Sequence, residues 1–379
     1  MSRGHPTPRP DLRPTRLEID LGAVRANVAR LREVSGTEVC AVVKADGYGH
    51  GAVPVARAAV DAGAAWLAVA LVEEGVGLRE AGIDVPILLL TEPPVAAIGE
   101  LLAARLTPTV YRAPFLAALD ATGHQRDRTV DVHVKLDTGM GRVGIPPDAW
   151  RERLEQVAVA RRLRVTGLYT HLARADELSV DTTAEQLTAF ERGRDLAGKL
   201  GLRPRWCHAA NTAGALAHPE SRLDLVRPGI GVYGLSPGVD VDAAEHGLRP
   251  ALQLVTEVAF AKRIIAGTPV SYGHRWRAPE DGWLAVLPLG YGDGMPRALT
   301  NRAQVLLRGR RHPVVGTVCM DQVLVWCAEV EPVVGEPVVL LVTQGDEVLR
   351  VEEWAAAADT ITYEIVTQLT ARVPRHHLG

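Results

Sequence analysis

The chain has 379 residues, of which 47% are hydrophobic, and it carries a formal net charge of −3 at pH 7. This length and apolar content predict two domains, or a barrel with an appendage, each with enough apolar residues for a core. The balanced charge excludes a strongly basic surface for nucleic acid or anionic membranes, so small molecules and further copies of the chain are the expected partners.

The first 14 residues are polar and rich in proline, and they contain no apolar segment of the kind found in secretory signals. We expect residues 1–14 to be a disordered lead-in to a cytoplasmic protein, and no later stretch is apolar enough to cross a bilayer. The cysteines, Cys40, Cys207, Cys319 and Cys327, follow no metal-ligand spacing. They predict reduced thiols and no metal site.

Lys44 stands where an apolar, β-branched run meets a glycine-rich turn, in VCAVVKADGYGHG. It is one of only four lysines, against 38 arginines. Such a run is typical of a buried parallel strand, and burial would lower the pKa of a lysine at its end. An uncharged amine could form a Schiff base with an aldehyde, whereas an ordinary lysine would extend its charge into water. On the strand alone, both interpretations stay open.

Eight short apolar segments alternate with helix-like segments between Val39 and Arg227. This alternation predicts an α/β fold, with a (β/α)₈ TIM-like barrel over residues 15–240. The predicted strands are residues 39–43, 66–70, 86–91, 107–111, 130–136, 165–170, 205–209 and 223–227.

The barrel interpretation can be tested on the sequence, because active sites of this fold lie at the carboxyl ends of the strands. Reactive side chains do collect there: Lys44, His171, His208 and Arg227 end predicted strands, and Arg142 follows the fifth strand. The pattern therefore favours one site at this face of the barrel.

The loops after the seventh and eighth strands read HAANTAG and RPGIG. Loops at these positions often bind phosphate in such barrels. Asn211, Thr212, Gly229 and Ile230 would offer hydroxyl and backbone N–H donors. An Asn-Thr pair is more often a helix cap, so the signal depends on its position in the barrel.

One face of the fifth strand is entirely ionisable, since Asp131, His133, Lys135 and Asp137 alternate with apolar residues. The apolar face should meet the helices, which leaves this row inside the barrel, where charges need partners. A self-neutralising polar network would explain most of the row. Lys135 and Arg142 are the exception, because two cations at one rim require an anion or a modification.

The pattern changes after Gly234 to β-type segments joined by Gly/Pro turns, with one helix-like segment over residues 351–369. We expect a separate, mostly β domain over residues 241–379. It holds three of the seven tyrosines, Tyr272, Tyr291 and Tyr363, in the contexts SYGH, GYGDG and TYEI. A buried tyrosine usually packs with one hydrogen bond, but a tyrosine flanked by glycine has little to pack against locally.

The motifs AVVKADGYGHG, KLDTGMGR, HAANT, RPGIGVYG, SYGH, GYGDG, GTVCMDQ and YEIVTQLTARVPR occur in the order found in alanine racemases, which depend on pyridoxal phosphate (PLP). The chain resembles this family from about Leu17 to Arg375. The resemblance implies a homodimer with shared active sites, an amino-acid substrate, and a supply of D-alanine for peptidoglycan.

The resemblance also implies roles for individual residues. Lys44 would hold PLP as a Schiff base and serve as one base, and Tyr272 of the other subunit would be the opposed base. The remaining positions that match the family divide into cofactor and substrate contacts: Tyr48, Asn211, Thr212, Gly229, Ile230 and Tyr363 around the phosphate, Arg227 at the pyridine nitrogen with His171 behind it, and Arg142, the Met320 N–H, Tyr291 and Asp321 around the substrate.

Two further features follow from the same comparison of motifs. Lys135 matches a lysine that family members carry as a carbamate, which would supply the anion required beside Arg142. Asp176 and Arg297 match residues that gate the substrate channel. Thr317 departs from the pattern, because family members can have an arginine there.

Three alternative functions remain, each with a feature that weighs against it. A PLP-binding barrel for cofactor homeostasis would not need the β domain and its tyrosine motifs. A related decarboxylase of basic amino acids would carry a cysteine–acid motif after the barrel, which is not apparent here. A Schiff-base aldolase acting through Lys44 without PLP would leave the phosphate loops without a role.

Overall fold

The computed structural model describes residues 12–379, so most of the predicted lead-in over residues 1–14 lies outside the described part of the chain. The described chain starts with a strand, β1 (Arg16–Asp20), that runs into the helix α1 (Leu21–Ser35). The chain divides into two compact units. One unit is Ala23–Arg249, and the other combines Pro250–Gly379 with the segment up to Gly22.

The unit Ala23–Arg249 contains eight parallel strands that alternate with helices. The strands are β2 (Glu38–Val42), β3 (Trp66–Val69), β4 (Ile87–Leu89), β5 (Thr107–Val110), β6 (Val130–Lys135), β7 (Leu163–Tyr169), β8 (Trp206–His208) and β9 (Leu225–Val226). The helices after α1 are α2 (Lys44–Tyr48), α3 (Ala52–Asp61), α4 (Val72–Glu80), α5 (Ile98–Ala103), α6 (Ala113–Gln125), α7 (Trp150–Val159), α8 (Thr182–Lys199) and α9 (Thr212–Ala217).

These strands form a barrel in chain order, from β2 through β8, with β9 pairing back onto β2. At the remaining seam, the Asp224 N–H donates to the Cys207 carbonyl at 3.0 Å and the Arg227 N–H donates to the Ala210 carbonyl at 2.9 Å. The predicted (β/α)₈ barrel is confirmed, because every predicted strand overlaps one of its strands. Strands of this kind can be predicted from the sequence because they are buried on both faces and therefore consist of continuous Val/Ile/Leu runs.

The other unit contains a large β-sheet, and β1 is the first strand of this sheet in chain order. Its further strands are β10 (Leu252–Glu257), β11 (Phe260–Ile264), β14 (Gly282–Leu287), β15 (Gln304–Leu307), β16 (Arg310–Val315), β17 (Val323–Ala328), β18 (Pro337–Gln344), β19 (Glu347–Leu349) and β20 (Arg375–Leu378). The pair β12 (Pro269–Val270) and β13 (Trp276–Arg277) forms a separate two-stranded sheet. Two helices complete this unit, α10 (Val351–Ala358) and α11 (Thr362–Thr367). The prediction of a mostly β C-terminal domain is confirmed.

The boundary predicted at residue 15 is wrong for the first strand. β1 pairs antiparallel with β10 and parallel with β20, so it belongs to the β domain and not to the barrel. Arg13, just before it, forms an ion pair of 2.7 Å with the buried Asp293 of the same unit. Pairings between residues this far apart in the sequence leave no local signal, which explains the error.

The single helix expected over residues 351–369 is two helices. α10 ends at Ala358, and the φ of 56° and ψ of 51° at the next residue, Asp359, lie in the left-handed region. A left-handed residue at this position closes a helix, and aspartate tolerates it better than most residues. The chain then restarts as α11, which carries Tyr363.

Within residues 12–379, no helix has the length and apolar character needed to span a membrane. The cysteines are free thiols, three of them buried.

Candidate active site

Lys44 lies two residues beyond the end of β2, where the backbone turns into an unusual conformation. Ala45, Asp46 and Tyr48 have φ values of 51°, 52° and 53°, and Gly47 has 60°. Residues other than glycine lose about 1–2 kcal/mol each in this left-handed region. The turn after Lys44 therefore exists only because neighbouring groups hold it.

Glu74, in the first turn of α4, is the group that holds this turn. Its carboxylate accepts hydrogen bonds from the backbone N–H of Ala45 at 2.6 Å, of Ala70 at 2.8 Å and of Leu71 at 3.0 Å. The same carboxylate thus ties the residue beside Lys44 to the loop after β3. Glu74 is not predictable from the sequence as a residue of this turn, because it lies 29 positions from Ala45.

The amine of Lys44 is half-buried, and burial lowers its pKa from the ordinary value. The positive charge of Arg142 lowers this pKa further, while the carboxylate of Glu74 opposes the shift. A lysine with a lowered pKa spends more time as the uncharged amine, which is the nucleophilic form. The chemical interpretation of Lys44 is the one this environment favours.

Lys135, the last residue of β6, is only 5% exposed. Burial, with the charges of Arg227 and Arg142, lowers its pKa to about 7. Its Nζ lies 5.5 Å from the centre of the Tyr169 ring. A group this deeply buried with a pKa near neutrality is available as a free amine.

The other ionisable residues of this row have local partners, although Asp131 lies with Arg164 in an exposed ion pair and not inside the barrel as expected. Asp131 forms a two-point ion pair with Arg164, at 2.5 Å and 2.8 Å. His133 Nδ1 lies 3.0 Å from His208 Nε2. Asp137 accepts from the N–H groups of the loop that leads to Arg142.

The mouth of the barrel is electropositive. Burial lowers the pKa of His171 well below its usual value, and the positive charges of Arg227, Lys135, Arg142 and Lys44 lower it further. The carboxylate that acts on Lys44 is Glu74, which already accepts backbone donors. An anionic ligand is the chemistry this surplus of positive charge would accept.

Arg227, directly after β9, is the hub of a buried polar network. Its guanidinium donates to the carbonyls of Thr170 at 2.7 Å and Ala209 at 3.0 Å. It also donates to Nδ1 of His208 at 2.6 Å and, less closely, to Nδ1 of His171 at 3.3 Å. Within the described residues its Nε–H donates to no other group. The predicted pairing with His171 is present, and His208 is the shorter contact.

The positions of the ring protons on His208 and His133 follow from the hydrogen bond that Arg227 donates to His208. Because a guanidinium cannot accept, His208 must present an unprotonated Nδ1 to Arg227 and carry its proton on Nε2. That Nε2–H then faces Nδ1 of His133. Burial, and then the charge of Arg227, lower the pKa of His208 well below its usual value and that of His133 to about 3. These two rings therefore stay neutral around the arginine.

The loops after β8 and β9 meet at the hydroxyl of Thr212, which opens α9. Thr212 Oγ1 accepts from the N–H groups of Gly229 at 3.0 Å and Gly231 at 3.2 Å. A Cβ on Gly229 would lie 2.3 Å from the Tyr48 hydroxyl, so that hydroxyl occupies the space that glycine leaves open. The Thr212 hydroxyl thus ties the loops after β8 and β9 together, and phosphate binding by these loops stays a prediction.

Two other predicted barrel residues have local partners. The Asn211 side-chain oxygen accepts from the Gly214 N–H at 2.9 Å, so Asn211 acts as the N-cap of α9, which was the alternative considered for it. Asp176 packs against Gly238, where a Cβ would approach its carboxylate to 2.0 Å.

In the β domain, three predicted site residues lie on exposed loops. Tyr272 is 73% exposed, Met320 52% and Tyr291 41%. Tyr291 and Met320 belong to neighbouring segments, since the Tyr291 N–H donates to the Cys319 carbonyl at 3.0 Å and the Gly292 N–H donates to the Met320 carbonyl at 2.9 Å. The structure therefore brings the GYGDG and CMDQ motifs together.

The remaining predicted residues of this domain lie at helix starts or bind neighbouring side chains and backbone. Asp321 forms an ion pair of 2.6 Å with Arg372. Arg297 is exposed at the start of a short 3₁₀ helix, and Tyr363 is half-buried in the first turn of α11. The Thr317 hydroxyl donates to the Tyr272 carbonyl at 2.7 Å.

Both units match family models. The model described as "Alanine racemase, N-terminal domain" matches residues 19–237, and "Alanine racemase, C-terminal domain" matches residues 251–377. The chain belongs to the alanine racemase family. The resemblance identified from the motifs is thereby confirmed, and with it an enzyme of the isomerase class.

Individual alanine racemases agree with this over their full length. The alanine racemase of Symbiobacterium thermophilum is 46% identical over 97% of this chain and 98% of its own. The structure of the Streptomyces coelicolor A3(2) alanine racemase superposes with a TM-score of 0.94 at 41% identity, covering 97% of this chain and 98% of that one. The structure of the alanine racemase from the D-cycloserine producer Streptomyces lavendulae superposes with a TM-score of 0.93 at 40% sequence identity, covering 97% of each chain. The match across the β domain weighs against a barrel that only handles PLP.

Proposed function

We propose that the chain interconverts L-alanine and D-alanine with PLP as its cofactor. The observation that carries this proposal is Lys44, an amine of lowered pKa at the barrel mouth, beside the cation Arg142. Membership of the alanine racemase family supplies the reaction and the substrate that this amine would serve.

The residues at the barrel mouth fit the cofactor. Its phosphate requires hydroxyl and amide donors in a positive environment, which Tyr48, Thr212, Gly229 and Ile230 would supply, with Tyr363 from the β domain. Arg227 retains an Nε–H that no described residue uses, which suits the pyridine nitrogen. Lys44 would hold the aldehyde carbon. When bound, PLP supplies a conjugated ring that delocalises the electron pair left when a proton departs from the substrate Cα.

Racemisation needs an acid–base group on each side of Cα, one to take a proton and the other to return one. We assign these roles to Lys44 Nζ and Tyr272 Oη. Lys44 suits the task because its pKa is lowered toward the working pH. Tyr272 lies in the other compact unit, on an exposed loop, and we propose that it reaches the site of the partner subunit in a homodimer.

Arg227 and its histidines would tune the site. A guanidinium keeps its protons, so Arg227 would donate a hydrogen bond to the pyridine nitrogen without protonating it. The neutral rings of His171 and His208 accept from Arg227 and keep it oriented. By leaving the pyridine nitrogen unprotonated, Arg227 would favour return of the proton to Cα over transamination.

We assign substrate binding to Arg142 and the Met320 N–H, which would hold the carboxylate, with Tyr291 and Asp321 beside them. Within residues 12–379, the Met320 N–H donates no hydrogen bond. Asp176 and Arg297 would gate the approach. Lys135 would be carbamylated: its neutral amine attacks CO₂, the N–C bond forms as one C=O π bond opens and gives its electron pair to oxygen, and the nitrogen releases a proton to solvent. The resulting anion would balance Arg142.

In the cell, the product would be D-alanine for peptidoglycan, made in the cytoplasm. The free cysteines are compatible with a reducing compartment. Rescue of a bacterial strain that requires D-alanine tests this role. Growth without added D-alanine supports it, whereas a stable, soluble protein that leaves the strain dependent contradicts it.

The cofactor assignment is tested by absorption and mass spectrometry of the purified protein. We expect PLP to give a band that borohydride removes, and the reduced cofactor to be attached to the peptide that carries Lys44. The Lys44→Ala variant should lack both signals. A protein that takes up no PLP, or that is labelled at another lysine such as Lys199, would contradict the assignment.

A further inference from the structure

Ser271, the residue before Tyr272, has a backbone conformation that L-amino acids avoid. Its φ is 62° and its ψ is −176°. This region is populated essentially by glycine, and a residue held there costs about 1–3 kcal/mol. Such a conformation persists only when surrounding contacts determine it. In this chain it fixes the direction in which the backbone presents Tyr272.

A pair of reciprocal hydrogen bonds holds this conformation. The Ser271 hydroxyl donates to the Thr317 carbonyl at 2.6 Å, and the Thr317 hydroxyl donates to the Tyr272 carbonyl at 2.7 Å. Thr317 is 2% exposed, so its hydroxyl is shielded from water. Hydrogen bonds of this kind are worth more in a dry environment, and a buried donor left without an acceptor is costly.

Close backbone contact adds to these bonds. A Cβ on Gly316 would lie 2.7 Å from the Ser271 Cβ and 3.1 Å from the Val270 carbonyl oxygen. Gly316 also has a φ of 73°, which favours glycine. The segment containing Thr317 can therefore approach the Tyr272 loop only because residue 316 has no side chain.

The segment containing Thr317 is itself anchored on both sides. The Gly316 N–H donates to the Asn301 side chain at 2.6 Å, and the Val318 N–H donates to the Thr300 hydroxyl at 3.2 Å. Movement of Tyr272 would therefore have to break contacts in a buried segment. This rigidity is unexpected for a tyrosine whose own side chain is mostly exposed.

We infer that Ser271 and Thr317 are positioning residues that clamp the Tyr272 loop for proton transfer. The inference rests on the proposed function, in which Tyr272 is one of the opposed bases. It also gives Thr317 a role of its own. At a position where family members can have a gate arginine, this chain has a short side chain whose hydroxyl reaches the backbone of the catalytic tyrosine.

The clamp predicts a specific kinetic defect. Tyr272 takes the Cα proton in one direction of the reaction and returns it in the other. If Tyr272 is misplaced, its step becomes more rate-limiting in both directions. The isotope effect of Cα-deuterated alanine should then rise in the direction where Tyr272 removes the proton and fall in the direction where Lys44 removes it.

The experiment compares Thr317→Val, which keeps the shape but loses the donor, with Thr317→Ser, which keeps the hydroxyl. We expect Thr317→Val to lower kcat about 10- to 100-fold, the range expected for a misplaced catalytic group. Its isotope effects should shift in opposite senses in the two directions. Thr317→Ser should stay close to the parent enzyme in kcat and in both isotope effects.

Amide hydrogen exchange provides a readout independent of turnover. In the holoenzyme, Thr317→Val and Ser271→Ala should increase exchange in the peptide containing residues 270–274, while Thr317→Ser should not. The clamp is contradicted if Thr317→Val matches the parent enzyme in exchange and in isotope effects, or if Thr317→Ser is as impaired as Thr317→Val. A parent enzyme that does not racemise alanine would refute the proposed function, and the exchange data would still report on the clamp.

Discussion

Glu74 accepts a hydrogen bond of 2.6 Å from the backbone N–H of Ala45, the residue that follows Lys44. This contact links the nucleophilic end of β2 to the loop after β3. It also stabilises a turn in which residues other than glycine adopt left-handed backbone angles. The turn beside Lys44 therefore depends on a carboxylate supplied by α4.

The first prediction concerns Glu74→Gln. Glutamine replaces one acceptor oxygen with a donor, so at least one of the backbone N–H groups loses its partner. We expect the free energy of unfolding to fall by about 1–3 kcal/mol. The lost negative charge should also lower the pKa of Lys44 further, because the carboxylate raises it. Capture of PLP by the cofactor-free protein should then reach its half-maximal rate at a lower pH.

Glu73→Gln is the matched control, since Glu73 is the neighbouring carboxylate on α4 and is exposed. Denaturant unfolding and the pH dependence of PLP capture would be measured on both variants. If both variants behave alike, Glu74 does not hold the turn.

The second prediction concerns the pH dependence of stability that arises from Lys135. Its pKa is about 7 in the folded chain, against 10.5 ordinarily. Between these pH values the unfolded chain binds a proton that the folded chain has released, so stability should increase as pH rises through this window. Urea unfolding in CO₂-free buffer should show this rise in the parent protein and a smaller one in Lys135→Met. An equal rise in both proteins would exclude a contribution from Lys135.

The third prediction is that Lys135 forms a carbamate. With ¹³C-bicarbonate present, a carbamate resonance should appear in the parent protein and be absent in Lys135→Met. Arg142→Gln should weaken the signal, because it removes the cation that we expect to stabilise the anion. Lys199→Met serves as the control for carbamate formation at other lysines. A signal that persists in Lys135→Met would reject this site.

The fourth prediction concerns the buried carboxylate of Asp293. It is fully buried, forms ion pairs with Arg13 at 2.7 Å and Arg372 at 3.3 Å, and accepts from the Gly290 N–H at 3.0 Å. Asp293→Asn should lower the free energy of unfolding by about 1–3 kcal/mol, since it removes the charge of a buried carboxylate whose two arginine partners are partly exposed. The exposed Asp346→Asn is the control. Equal denaturant midpoints for the two variants would mean that the ion pairs contribute nothing.

The fifth prediction tests whether the active site is shared between subunits. Lys44→Ala and Tyr272→Phe should each be inactive alone. After subunit exchange of an equal mixture, heterodimers with one intact site should restore about a quarter of the parent activity, because half of the dimers are mixed and each has one good site. The double variant mixed with either single variant should restore none. Mixtures that stay inactive after proven exchange would argue that each site is built from one chain.

Much of the barrel was predictable because its strands are continuous apolar runs and its reactive residues follow those runs. Lys44, His171, His208 and Arg227 could be placed at one face from the sequence alone. β1 could not be assigned correctly, since its partners β10 and β20 lie in distant parts of the chain.

The features missed by sequence analysis depend on backbone conformation. The sequence around Ala45 or Ser271 does not predict positive φ values at these two residues, because residues other than glycine rarely adopt them. Glu74 looks like any acidic residue in the first turn of a helix. Its contact with the Lys44 turn becomes visible only when β2 and β3 are placed side by side.

The most direct test of the proposed reaction is to incubate the PLP-loaded enzyme with L-alanine in D₂O and to follow chirality and Cα deuterium together. Racemisation by opposed acid–base groups predicts D-alanine that carries solvent deuterium at Cα, formed by the parent enzyme and lost in Tyr272→Phe. A PLP-loaded enzyme that leaves L-alanine unchanged, or that makes D-alanine equally well without Tyr272, would contradict the proposed mechanism.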